Sequence, residues 1–150
     1  MNETPPINND LPREGRLAGI DYGTVRIGVA ICDPGQILAS PFDNYTRRGD
    51  ELDAQWFREF VESESVVGFV VGLPIHLSGD ESEKSVEARK FGAWLGELTQ
   101  LPVAFNDERY TSVDAEQKMI DANLTRKRRK ARLDMLAAQS ILRTYLERSS

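Results

Sequence analysis

The chain holds one cysteine, Cys32, and one histidine, His76. A lone thiol excludes an intrachain disulfide framework and suits a reducing compartment, so a cytoplasmic protein is expected. The same scarcity excludes a zinc site built from Cys and His ligands. Long hydrophobic runs are missing too: nothing approaches the ~20 apolar residues that a membrane-spanning helix needs. The opening MNETPPINNDLPREG lacks the apolar centre of a signal peptide. It reads as a disordered tail over 1–15 that contributes nothing to the fold. The remainder, 16–150, is long enough for one domain with a buried core.

An excess of positive charge is also absent. The net charge of −5 would argue against a nucleic-acid partner if the charge were spread evenly. It is not. RKRRKAR, Arg126 to Arg132, places six basic residues in seven on an otherwise acidic chain. A segregated patch of this kind binds phosphates whatever the global sign, although a solvated helix start is the plainer reading of any charge run.

Apolar spacing supplies the elements. Arg16–Tyr22 and Arg26–Cys32 read as strands, the second alternating Ile27, Val29 and Ile31 against Gly28, Ala30 and Cys32. Asp33-Pro34-Gly35-Gln36 has the residue order of a type II turn. A third strand from Ile37 to about Thr46 completes an antiparallel meander. From Asp50 a helix follows, with Leu52, Trp56, Phe57 and Phe60 on one face. Val66–Val71 is a continuous apolar run, as expected of a strand covered on both sides. After a loop come a helix to about Thr99, a short strand at Pro102–Asn106, and a helix from Thr111 to about Asp121. The last helix runs from near Lys130 to Leu146. The expected architecture is α/β: a single five-stranded mixed sheet, three strands antiparallel and then two parallel, with helices packed on it.

Three carboxylates stand at element ends in this layout. Asp21 ends the first strand, Glu108 follows the short strand, and Asp134 lies in the first turns of the final helix. Only the fold can bring them together. A cluster of Asp and Glu without Cys or His partners selects hard, oxygen-preferring cations such as Mg²⁺ or Mn²⁺. Two such ions about 3.5–4 Å apart generate a hydroxide and stabilise a phosphodiester's leaving oxygen. Each residue also has a plainer reading. Asp21 can serve a turn, Glu108 can pair with Arg109, and Asp134 can favour the dipole at a helix N-terminus. His76 reads as an exposed loop side chain, and Cys32 as a packed one.

DERYTSVDAE, taken with GIDYGTVRIGVA, VVGLP and LDMLAAQSIL, resembles the YqgF-like family of RNase H-fold nucleases. Its members are described as pre-16S rRNA nucleases or Holliday junction resolvases. The resemblance runs from Leu17 to about Glu147. It implies an RNase H-like fold and a hydrolase acting on ester bonds, with Asp21, Glu108 and Asp134 as catalytic ligands of two Mg²⁺ or Mn²⁺ ions. It further implies a nucleic-acid substrate, RNA rather than DNA, and a place in ribosome biogenesis on precursor particles. Arg109, Thr111 and Ser112 then become candidate phosphate contacts. The basic residues Arg126, Lys127, Arg128, Arg129, Lys130 and Arg132 join them as substrate-binding candidates. Thr111-Ser112 departs from the family's usual Thr-Thr but keeps both hydroxyls. A monomer or a homodimer is compatible with this reading.

Other readings compete. GIDYGTVRIGVAI also resembles the phosphate-binding hairpin of the actin, Hsp70 and sugar-kinase ATPases, but those need two such domains and this chain has length for one. A Holliday junction resolvase acting on branched DNA is one alternative. A non-catalytic RNA-binding assembly factor is another, and a missing carboxylate would favour it; all three are present.

Overall fold

The computed structural model describes residues 11–74, 83–107 and 126–149. Its strands are β1 (Arg16–Asp21), β2 (Arg26–Cys32), β3 (Ala39–Thr46), β4 (Val66–Leu73) and β5 (Val103–Asp107). The described helices are α1 (Asp50–Glu64), α2 (Glu83–Thr99) and α3 (Arg126–Ser149). The strands form one sheet in the order β3-β2-β1-β4-β5. Pairing is antiparallel for β1–β2 and β2–β3, and parallel for β1–β4 and β4–β5. This is the mixed sheet expected from the apolar pattern. The expected helix from Thr111 to about Asp121 lies outside the described residues.

Period-two alternation puts the side chains of each strand on opposite faces of the sheet. Ala18, Ile20, Ile27 and Val29 pack with Phe57 of α1 and with Phe91 and Leu95 of α2. Leu17, Ala30, Val70 and Ala104 pack on the other face with Ala138, Ile141 and Leu142 of α3. Covering both faces explains why β4 is apolar throughout. No described helix is long and apolar enough to cross a membrane.

Three boundaries differ from the sequence reading. The third strand begins at Ala39, not Ile37. Asp33 accepts hydrogen bonds from the backbone N–H groups of Gly35, Ile37 and Leu38 at 3.1, 2.9 and 2.6 Å, which holds this stretch as a loop. Gln36, not Gly35, is the left-handed residue there (φ 57°), so the turn is not type II.

The second difference concerns the tail assigned to 1–15. Leu11 is buried against Leu17 and Val70, Gly15 N–H donates to Pro34 O at 2.8 Å, and Gln36 Nε2 donates to Pro12 O at 2.9 Å. Docked chain therefore includes 11–15, because one leucine covers the apolar end of the sheet. Residues 1–10 lie outside the described residues.

Third, the last helix begins at Arg126, ahead of the expected Lys130. The basic run is its opening two turns.

Candidate active site

Asp21 is the last residue of β1, the central strand. Because β1, β4 and β5 are parallel, their C-terminal ends share one edge of the sheet, where Leu73 pairs with Asp107. Across the hairpin, Asp21 is in register with Gly28. That glycine decides what lies over the strand end. A Cβ built on Gly28 would overlap the main-chain carbonyl of Asp134. A Cβ on Gly19 would lie 2.6 Å from Ala138 O and 2.8 Å from Leu142 Cβ. Asp134, Ala138 and Leu142 are four residues apart and so share one face of α3. Two glycines thus let that face rest on the backbones of β1 and β2, and the contact carries Asp134 over the end where Asp21 sits.

The two carboxylates line one cleft of about 430 Å³ with Tyr22, Arg26, Lys84 and Glu87. Burial raises the Asp21 pKa to about 6; the Lys84 charge opposes this, and the Asp134 charge adds to it. Arg26 Nε lies 3.3 Å from Asp134 Oδ2. Asp134 falls in the third turn of α3 rather than the first. The helix dipole acts within the first turn, so it does not account for an acid at this position.

Neighbouring groups brace the cleft. Arg47 Nη1 donates to Tyr22 Oη at 3.0 Å, and its Nε donates to the buried Asp53 at 3.1 Å. Burial pushes the Asp53 pKa up, but hydrogen bonds from Arg48 N–H, Tyr45 Oη and Arg47 outweigh it, and the net shift is downward. At the end of β5, buried Asn106 donates to Ile141 O at 3.1 Å and accepts from Arg148 Nη1 at 3.1 Å. It ties β5 to the helix that carries Asp134.

The structure therefore brings Asp21 and Asp134 together. Glu108, the next residue after β5, lies outside the described residues, as do Arg109, Thr111, Ser112 and His76. Among the described residues no group of three His, Cys, Asp or Glu side chains is arranged to hold a metal ion. Arg128 and Arg132 are exposed on α3. The side chains of Arg126, Lys127, Arg129 and Lys130 lie outside the described part of the molecule. Cys32 is buried, its Sγ 3.2 Å from Leu17 N, which agrees with a packing role. Sequence reasoning missed Arg26, Lys84 and Glu87. The only available signal was that Arg26 follows Asp21 across a short hairpin; nothing local marked the two residues of α2.

A mixed sheet in this strand order, with an acid at the end of its central strand and another on a helix laid across it, defines the RNase H-like class. Solved structures agree on the fold. Thermus thermophilus RuvC aligns with a TM-score of 0.54 at 15% identity, over 89% of this chain and 96% of that one. RuvC from the same organism in complex with a Holliday junction substrate aligns with a TM-score of 0.53 at 12% identity, over 91% and 96%. The chain belongs to the RuvX family, described as Holliday junction resolvase, whose model matches residues 15–148. A relative from Rhodopirellula baltica is 51% identical over 96% of this chain and 83% of its own length. One from Rhodobacter capsulatus is 41% identical over 92% and 87%. Both carry the name "Putative pre-16S rRNA nuclease".

Proposed function

We propose that the protein is a divalent-metal-dependent endonuclease that hydrolyses phosphodiester bonds of precursor 16S ribosomal RNA in the cytoplasm. The observation that carries this reading is the convergence of Asp21 and Asp134 on one cleft in a chain so similar to relatives of that name. The donor set fits a hard cation. Both groups offer carboxylate oxygens, and Asp21 is a carboxylate whose ionised form is disfavoured by burial and by Asp134. An added positive charge relieves both penalties.

In this reading Asp21 and Asp134 hold Mg²⁺ or Mn²⁺, and Glu108 completes the ligand set. A cation held by these carboxylates would supply Lewis acidity there, lowering the pKa of a water and offsetting charge on the leaving oxygen. The protein's own part is positional. Contact between α3 and the backbones at Gly19 and Gly28 sets the spacing of the two acids, and Asn106 anchors the end of β5 to the same helix. Arg109, Thr111, Ser112 and the basic run of α3 bind phosphates of the strand. Such contacts position the substrate without reading its bases.

A second reading, cleavage of a four-way DNA junction, is favoured by the family's description. One experiment separates them. Purified protein is incubated with a precursor 16S fragment and with a four-way junction, each with Mn²⁺, Mg²⁺ or EDTA. Metal-dependent cleavage of the RNA alone supports the proposal; cleavage of the junction alone replaces it with the second reading. Cleavage of neither leaves a binding protein.

A further inference from the structure

Arg26 opens β2 and reaches Asp134 from the far side of the hairpin. Its Nε is 3.3 Å from Asp134 Oδ2, and the side chains remain 29% and 23% exposed. The close approach at Gly28 places the main chain of Asp134. The direction of the carboxylate is left to its partners. A guanidinium offers five N–H donors in a planar fork, and this contact engages one of them. Among the described residues, most of the fork is left for a second anion.

Charge in the cleft gives that second anion a reason to come. Among the described residues that line it, Asp21, Glu83, Glu87 and Asp134 face Arg26 and Lys84, four acids against two bases. A polyanionic strand is repelled by such a cleft. Adding a divalent cation at the two aspartates cancels the excess, and it competes with the guanidinium for the same Asp134 oxygen. A displaced arginine then stands beside the scissile position, with a geometry suited to a phosphate.

We propose that Arg26 is the resting counterion of Asp134 and that, once the site is loaded, it turns to a phosphate of the substrate strand. It is thereby a substrate-positioning residue coupled to metal binding. This inference rests on the nuclease reading above and adds a residue which that reading does not use.

The test begins with Mn²⁺ alone, titrated calorimetrically into wild type, Arg26→Gln and Arg26→Lys. Losing the competing charge should tighten Mn²⁺ binding by Arg26→Gln about three- to tenfold. On RNA fragments, the same variant should raise KM about tenfold with kcat nearly unchanged, and lower the log–log salt slope by about 0.7. Arg26→Lys keeps the charge and should restore both the slope and the wild-type Mn²⁺ affinity. A merely structural ion pair predicts the reverse for the metal: a loosened Asp134 and weaker Mn²⁺ binding. Unchanged or weaker Mn²⁺ affinity in Arg26→Gln, with wild type binding normally, overturns the inference and leaves the nuclease reading intact. Wild type that binds no Mn²⁺ overturns both.

Discussion

Gly28 and Asp134 meet backbone to backbone: a side-chain carbon on the glycine has no room beside the aspartate's carbonyl. Since Gly28 is also the register partner of Asp21, this contact, together with the one at Gly19, fixes how close the backbones that carry the two acids come. Gly28→Ala should push α3 away from the sheet and lower stability by about 1–3 kcal/mol, the usual range for overpacking. Cleavage should fall more steeply than thermal stability does. Melting curves and cleavage rates on the same preparation check this, and full activity in the variant would show that the spacing is not critical.

Asp21→Asn, Glu108→Gln and Asp134→Asn should each lower metal-dependent cleavage by at least about a hundredfold while leaving the chain folded. Loss of even an outer-shell partner of a metal costs 10–100-fold, so loss of a ligand costs no less. Single-turnover rates at saturating Mn²⁺ give the answer residue by residue. Near-wild-type cleavage in any one variant removes that residue from the ligand set.

The raised pKa of Asp21 makes a prediction for the metal-free protein. At about 6 it lies above the ordinary 3.8, so between those values the folded chain holds a proton that the unfolded chain has lost. The ionised form therefore costs stability above pH 6, at most about 3 kcal/mol, and that cost shrinks as pH falls towards 4. Asp53, with its lowered pKa, acts oppositely: its contribution is present at neutral pH and is lost on acidification. The informative quantity is the difference between wild type and Asp21→Asn in urea denaturation with EDTA. Asp21→Asn should be the more stable protein at pH 7, with the gap shrinking to about a third by pH 4.5 and vanishing only below the ordinary 3.8.

Leu11 marks where the docked chain includes residues assigned to the tail. Deleting 1–10, a polar stretch without apolar periodicity, should leave the melting temperature unchanged. Leu11→Ala should cost about 2 kcal/mol, at the low end for a buried leucine because the site lies at the sheet's margin. Denaturant midpoints of the two variants separate the contributions.

For the basic run, exposed Arg128 and Arg132 test phosphate binding. Changing both to Gln should lower the log–log salt slope for single-stranded RNA by about 1.4 if each touches a phosphate. Affinity should fall alike on all sequences, since phosphate contacts carry no base information. An unchanged slope would make the run a solvated helix start.

The strands, the two-sided burial of β4 and most helix positions were legible in the sequence, because burial on a sheet face or helix face imposes its own period. Asp21 was legible as an acid ending an apolar strand, and the LDMLAAQSIL motif pointed to Asp134, which shares its cleft. Local spacing did not reveal that Ile37 and Leu38 belong to a loop, since Asp33 captures their N–H groups through hydrogen bonds that leave no apolar signature. Nor did it reveal Arg26 as the partner of Asp134, or Lys84 as a charge facing Asp21. Those pairings exist only because α3 crosses β1 and β2 at glycine contact distance and α2 begins beside the same cleft. The chain by itself determined which residues alternate, which acids are available and where the basic charge is concentrated. Tertiary structure alone decided which acids meet, because their separation depends on backbone contact between elements that are distant in the chain.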